Sequence, residues 1–173
     1  MRAFLLFAFL SGQVLCAPEL RAQCISLADL LVIGAEPAAL TAPKVVTDHL
    51  TVEWTYVGPT AAVRETVWTF KPSGTAASIA RLQMRVQRPG QDVVLKTAQA
   101  NCVRDLRSEL KSRKLTAQPV TCLNCEAVRY QGPDFEATIY SQMKGEFPFV
   151  VVVHQVPPGM PPAASSTVGV KAP

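Results

Sequence analysis

The chain has 173 residues, 49% of them hydrophobic and 17% charged, with 17 Lys plus Arg against 13 Asp plus Glu. That length suits one domain or two small lobes, and the apolar content is enough to fill a core, which excludes wholesale disorder. Removing residues 1–22 takes away Arg2, Arg21 and Glu19 and leaves 15 basic and 12 acidic residues, a net charge of +3; a nucleic-acid binder needs a far denser basic face.

The N-terminus reads as a secretory signal peptide. Arg2 supplies the positive start, the run Ala3 to Leu10 is apolar, and Gly12 and Gln13 interrupt it. The run falls well short of the ~20 residues that span a bilayer. Ala22 is the small residue at the expected cut, so the mature chain begins at Gln23; a cut after Cys16 is the alternative. Neither Cys16 nor Cys24 follows the small residues of a lipoprotein signal. No second long apolar run follows, so no transmembrane segment is expected in the mature chain. The expected location is therefore the periplasm or the extracellular space.

Residues 26–34 show helical spacing, with Ser26 as cap, Leu27, Leu30 and Leu31 on one face and Gly34 as a stop. A short helix is expected from Pro43 to about Leu50. The period then changes to two. Val52, Trp54 and Tyr56 share one face of a strand, Val67 to Lys71 form a second, and Ile79 to Gln87 a third. In the third, Ala80, Leu82, Met84 and Val86 face inward, and Arg81, Gln83, Arg85 and Gln87 face water. Pro89-Gly90 is a turn, after which Val93 to Leu95 form a short strand.

Residues 101–114 form the clearest helix. Asn101 is its expected cap, Val103, Leu106 and Leu110 are its stripe, and Lys111, Arg113 and Lys114 close it as a solvated basic turn. Strands are expected at about 126–131, 135–142 and 147–155, the last in the middle of the sheet with Pro148 limiting pairing at its start. Residues 157–173 hold five prolines and read as a disordered Pro/Ala-rich tail.

The expected fold is therefore α+β, an antiparallel sheet packed on two or three helices. Residues 23–156 form a single domain, with candidate lobes 23–97 and 98–156. Each lobe opens with a cysteine-bearing helix and runs into about three strands, the pattern of a diverged tandem α-β-β-β repeat.

Four cysteines survive in the mature chain, Cys24, Cys102, Cys122 and Cys125. An even set in an exported protein implies two disulfides, with three connectivities open. Cys122-Leu-Asn-Cys125 has the spacing of a thioredoxin-type pair, but that chemistry needs a helix N-terminus at the first thiol, and a strand pattern follows. A zinc site would require a second such knuckle.

The motifs of zinc proteases, serine hydrolases and phosphate-binding loops are missing from the sequence. His49 and His154 are the sole histidines, the first at a helix end beside Asp48 and the second read as a sheet-edge histidine. A Ser-His-Asp arrangement would have to come from tertiary contacts. No catalytic residue, metal or cofactor is assigned. Trp54, Tyr56, Trp68 and Phe70 form the densest aromatic group, either a core or an exposed platform for a protein or glycan partner. The leading expectation is a non-enzymatic binding module. The alternatives are a cell-envelope enzyme or thiol-disulfide protein using Cys122 and Cys125, and an envelope assembly or structural factor.

Overall fold

The structure is a computed structural model, which describes residues 24–59, 65–75, 77–87 and 90–157. The expected signal peptide and almost all of the expected disordered tail lie outside the described residues. The described fold is α+β, an eight-stranded antiparallel sheet with helices.

Helix α1, Leu27–Ala35, starts at Ser26, whose hydroxyl accepts the Asp29 N–H. It runs through Gly34 rather than stopping there. A short α2, Pro43–Thr47, follows and carries proline in its first turn, where no intrahelical donor is lost. Strands β1 (Trp54–Tyr56), β2 (Thr66–Phe70), β3 (Ala80–Val86) and β4 (Gln91–Thr97) then form an antiparallel meander. Helix α3, Ala100–Ser112, leads into a second meander. Its strands are β5 (Thr116–Val120), β6 (Glu126–Gln131), β7 (Phe135–Ser141) and β8 (Phe149–Gln155).

The strand order is β1-β2-β3-β4-β8-β7-β6-β5, so the last strands of the two meanders pair at the middle of the sheet. Each half has four strands rather than three. The sequence pattern misses β5, and β4 is longer than Val93 to Leu95. Asn101 lies inside α3; the cap position is Gln99, whose N–H donates to Thr97 Oγ1 at 3.0 Å.

Strand alternation sends the inward side chains to one face. Trp54, Trp68, Phe70, Leu82, Met84, Val93, Leu95, Tyr130, Ile139, Val151 and Val153 form one buried cluster with Leu27, Leu30 and Ile33 of α1, Val46 of α2, and Val103, Leu106 and Leu110 of α3. Burying a large apolar side chain contributes ~1.5–3 kcal/mol, so this cluster dominates the folding energy.

Directed bonds fix each helix on the sheet. Gln91 Nε2 donates to the Gly34 and Glu36 carbonyls at 2.9 and 2.8 Å, holding the end of α1 against β4. Trp68 Nε1 donates to Thr47 Oγ1 of α2 at 2.9 Å. Arg107 Nη2 of α3 donates to Ser141 Oγ of β7 at 2.6 Å. Leu27 N–H donates to Glu109 Oε2 at 3.1 Å, joining the start of α1 to α3.

Candidate functional site

The second face of the sheet carries no helix among the described residues. The pairing registers arrange its side chains in rows. One row crosses the strands as Thr69, Arg81, Lys96, Val150 and Tyr140. A second runs Val67, Gln83, Val94, Val152 and Thr138. A third runs Arg85, Asp92, His154 and Glu136. Part of this face is tightly packed rather than wet, since Gln83 and Val94 are buried. Arg85 and Gln87 are exposed as expected.

The third row alternates basic and acidic side chains. Arg85 Nη2 lies 3.7 Å from Asp92 Oδ2, and Asp92 Oδ1 lies 2.9 Å from His154 Nδ1. Glu136 stands next to His154 in register, and its Oε1 lies 3.2 Å from Arg129 Nε. That last contact is an ion pair without hydrogen-bond alignment, because Arg129 Nε is buried and has no hydrogen-bond partner among the described residues. A shallow depression of ≈ 320 Å³ is lined by these groups together with Thr138 and Tyr140. His154 thus belongs to the central strand β8, not to a sheet edge. Asp92 orients its imidazole, and among the described residues no hydroxyl or thiol is hydrogen-bonded to the ring. His49 is exposed at the end of α2.

The first row has a different character. Arg81 and Lys96 are direct cross-strand partners of like charge, an arrangement that costs stability. Burial first, then the Arg81 charge, lowers the Lys96 pKa; Arg85 adds to this and Glu65 opposes it. The nearby Glu65 carboxylate already accepts from Gln83 Nε2 at 2.9 Å. The Arg81 guanidinium carbon lies 5.7 Å from the centre of the Phe147 ring, and Arg81 Nε is buried with no hydrogen-bond partner among the described residues.

Cys24, Cys102, Cys122 and Cys125 form two pairs at disulfide distance. Cys24 and Cys102 join the segment before α1 to α3, with Cα atoms 5.1 Å apart. Cys122 and Cys125 span the β5–β6 turn, with Cα atoms 5.3 Å apart. Strand β6 begins at the next residue, so no helix starts at either sulfur. Leu123 in this turn is almost fully exposed. A depression of ≈ 470 Å³ adjoins the Cys24–Cys102 pair, beside Ser26, Asp105 and Glu109.

The aromatic group divides. Trp54, Trp68 and Phe70 are buried on the helix-bearing face, and Tyr56 alone is exposed, at 38%. The Tyr56 and Trp68 rings lie 5.2 Å apart and those of Trp54 and Phe70 5.5 Å apart. The basic end of α3, Lys111, Arg113 and Lys114, is exposed. Among the described residues there is no group of three or more His, Cys, Asp and Glu side chains placed to hold a metal ion.

No protein-family model matches the chain, and no curated protein or solved structure matches it either.

Proposed function

We propose that this protein is an exported, non-enzymatic binding module that recognises a protein partner through the helix-free face of its sheet. The observation that carries this reading is the ordered charge on that face. Arg85, Asp92, His154, Glu136 and Arg129 cross five adjacent strands, while the opposite face is filled by the core. Charged and hydrogen-bonding groups on a rigid sheet give a partner orientation and specificity.

Export is supported by the leader and by cysteine pairs suited to an oxidising compartment. Among the described residues, no helix is long and apolar enough to cross a membrane. The mirrored strand order supports a further part of the proposal: the domain arose by duplication of a helix-plus-four-strand unit. Pairing β4 with β8 would then remove the exposed edge that each unit leaves at its last strand.

The test is site-directed photo-crosslinking in the native compartment. A crosslinker at Tyr140 or Gln87 reports on the sheet face, and one at Val32, which is exposed on α1, serves as control. The same protein captured from both sheet positions and not from Val32 is the expected result. Capture only from Val32, or none from either face position, overturns the proposal.

A further inference from the structure

We propose that Arg81 and Lys96 form a carboxylate-binding site on the helix-free face, where an Asp or Glu side chain of the partner protein bridges the guanidinium and the ammonium. This rests on the binding-module reading and adds to it the chemistry of recognition.

Arg81 of β3 and Lys96 of β4 face each other directly, and their outer neighbours in the row are Thr69 and Val150. Like charges in opposed positions repel, and hydroxyl and apolar neighbours do not neutralise them. Neither side chain has an ion-pair partner among the described residues. A buried guanidinium N–H without an acceptor is uncommon in a folded protein, and Arg81 Nε is one.

Three acidic side chains near this face are already engaged. Glu65 is held by Gln83, Asp92 by His154 and Arg85, and Glu136 pairs with Arg129. The segments outside the described residues contain a single acidic side chain, Glu19, which falls within the expected leader. Supplying a carboxylate from outside would relieve the repulsion and give the cations an acceptor in a partly desolvated setting, where charge-assisted bonds are strongest.

The occupant is a protein carboxylate rather than a polyanion. A sulfated glycan or nucleic acid lying along this face would meet Glu65, Asp92 and Glu136 as well as the cations. A protein surface can place one acid over Arg81 and Lys96 and present other groups to the third row.

The experiment follows the Arg81 Nε–H resonance and the Lys96 amide by NMR in the exported protein. The probe is a capped Gly-Glu-Gly-Glu-Gly peptide. Its Gln counterpart, inorganic phosphate and a heparin-derived hexasaccharide are the comparisons. Saturable movement of both resonances with the Glu peptide alone is expected. Arg81→Lys, which keeps the charge and loses the fork, is expected to weaken binding by about tenfold. Lys96→Gln is expected to weaken it similarly, with both variants retaining the wild-type spectrum elsewhere. Lys96→Met relieves the like-charge contact and serves as a second, folded variant that must also lose binding.

No movement with the Glu peptide, equal movement with the Gln peptide, or tighter binding of phosphate or hexasaccharide overturns the site. If Tyr140 crosslinks capture a partner while the peptide fails, this inference falls and the module reading stands. Peptide binding without face-specific crosslinks supports the carboxylate site and removes the protein-partner module.

Discussion

His154 Nδ1 lies 2.9 Å from Asp92 Oδ1, across the β4–β8 pairing that joins the two halves of the sheet. Asp92 is 8% exposed, and among the described residues its other charged contact is Arg85 at 3.7 Å. Removing the imidazole therefore leaves a nearly buried carboxylate with one distant partner. His154→Ala is expected to lower stability by about 1–3 kcal/mol in chemical denaturation. A cycle with Asp92→Ala should return a coupling of at least about 0.5 kcal/mol. Strict additivity would show that the contact contributes nothing to the seam.

Gly90 offers a sharper structural test. Its φ is +109°, and a Cβ there would lie against the Gln155 carbonyl oxygen, a backbone atom of the central strand. Gly74 has φ +80° and nothing within 4 Å of its virtual Cβ. Both Gly→Ala variants incur the cost of a positive φ, about 1–2 kcal/mol. Gly90→Ala adds a collision that only backbone movement can relieve, so its loss should exceed that of Gly74→Ala by at least about 1 kcal/mol. Equal melting temperatures would refute the close approach of the turn to β8.

These two sites show what the sequence could reveal. Pro89-Gly90 marks the β3–β4 turn, and alternation in Ile79 to Gln87 marks the inward face. Together they could have placed Arg81 beside Lys96, because a hairpin turn fixes register. The pairing of Asp92 with His154 was hidden, since it joins strands 62 residues apart. Strand β5 was hidden for a local reason. It is an edge strand containing Pro119, and Thr116 to Pro119 are all exposed, so no buried face imprints a period of two. In β4, Gln91 and Asp92 are buried although they are polar, so polarity there does not track exposure and hides the strand's length. The buried setting of Trp54, Trp68 and Phe70 depended on where the helices lie, which residue spacing does not encode.

The two cysteine pairs should differ greatly in what they contribute. Cys24 and Cys102 are 78 residues apart in sequence, Cys122 and Cys125 only 3. The chain-entropy relation gives about 4.5 kcal/mol for the long loop and about 2 kcal/mol for the short one. Unfolding of Cys24→Ala/Cys102→Ala and of Cys122→Ala/Cys125→Ala, each with both residues replaced, measures the difference. The first variant is expected to lose at least twice as much stability. An insulin-reduction assay with Cys122→Ser as control addresses chemistry at the turn, and no turnover is expected, because β6 follows directly and no helix N-terminus lowers a thiol pKa there. Turnover that disappears in Cys122→Ser would make the turn a redox site.

Lys96→Met should stabilise the protein near neutral pH, and the gain should depend on pH in a defined direction. Burial and the Arg81 charge lower the Lys96 pKa in the folded state, so folding disfavours its charged form. Below the folded value the lysine is charged in both folded and unfolded chains, and the folded state carries the full penalty. As pH rises through the lowered folded value towards the ordinary ~10.4 of an unfolded lysine, the folded state releases its proton first. Wild type then gains stability relative to Lys96→Met, and the gap between the two melting temperatures closes over that alkaline window. Lys96 keeps part of its solvent contact, so screening should hold the gain at neutral pH below about 1 kcal/mol. A gap that widens with rising pH, or a variant less stable than wild type at pH 7, would show that Lys96 is a stabilising charge in the folded chain and not one held in reserve for a partner's carboxylate.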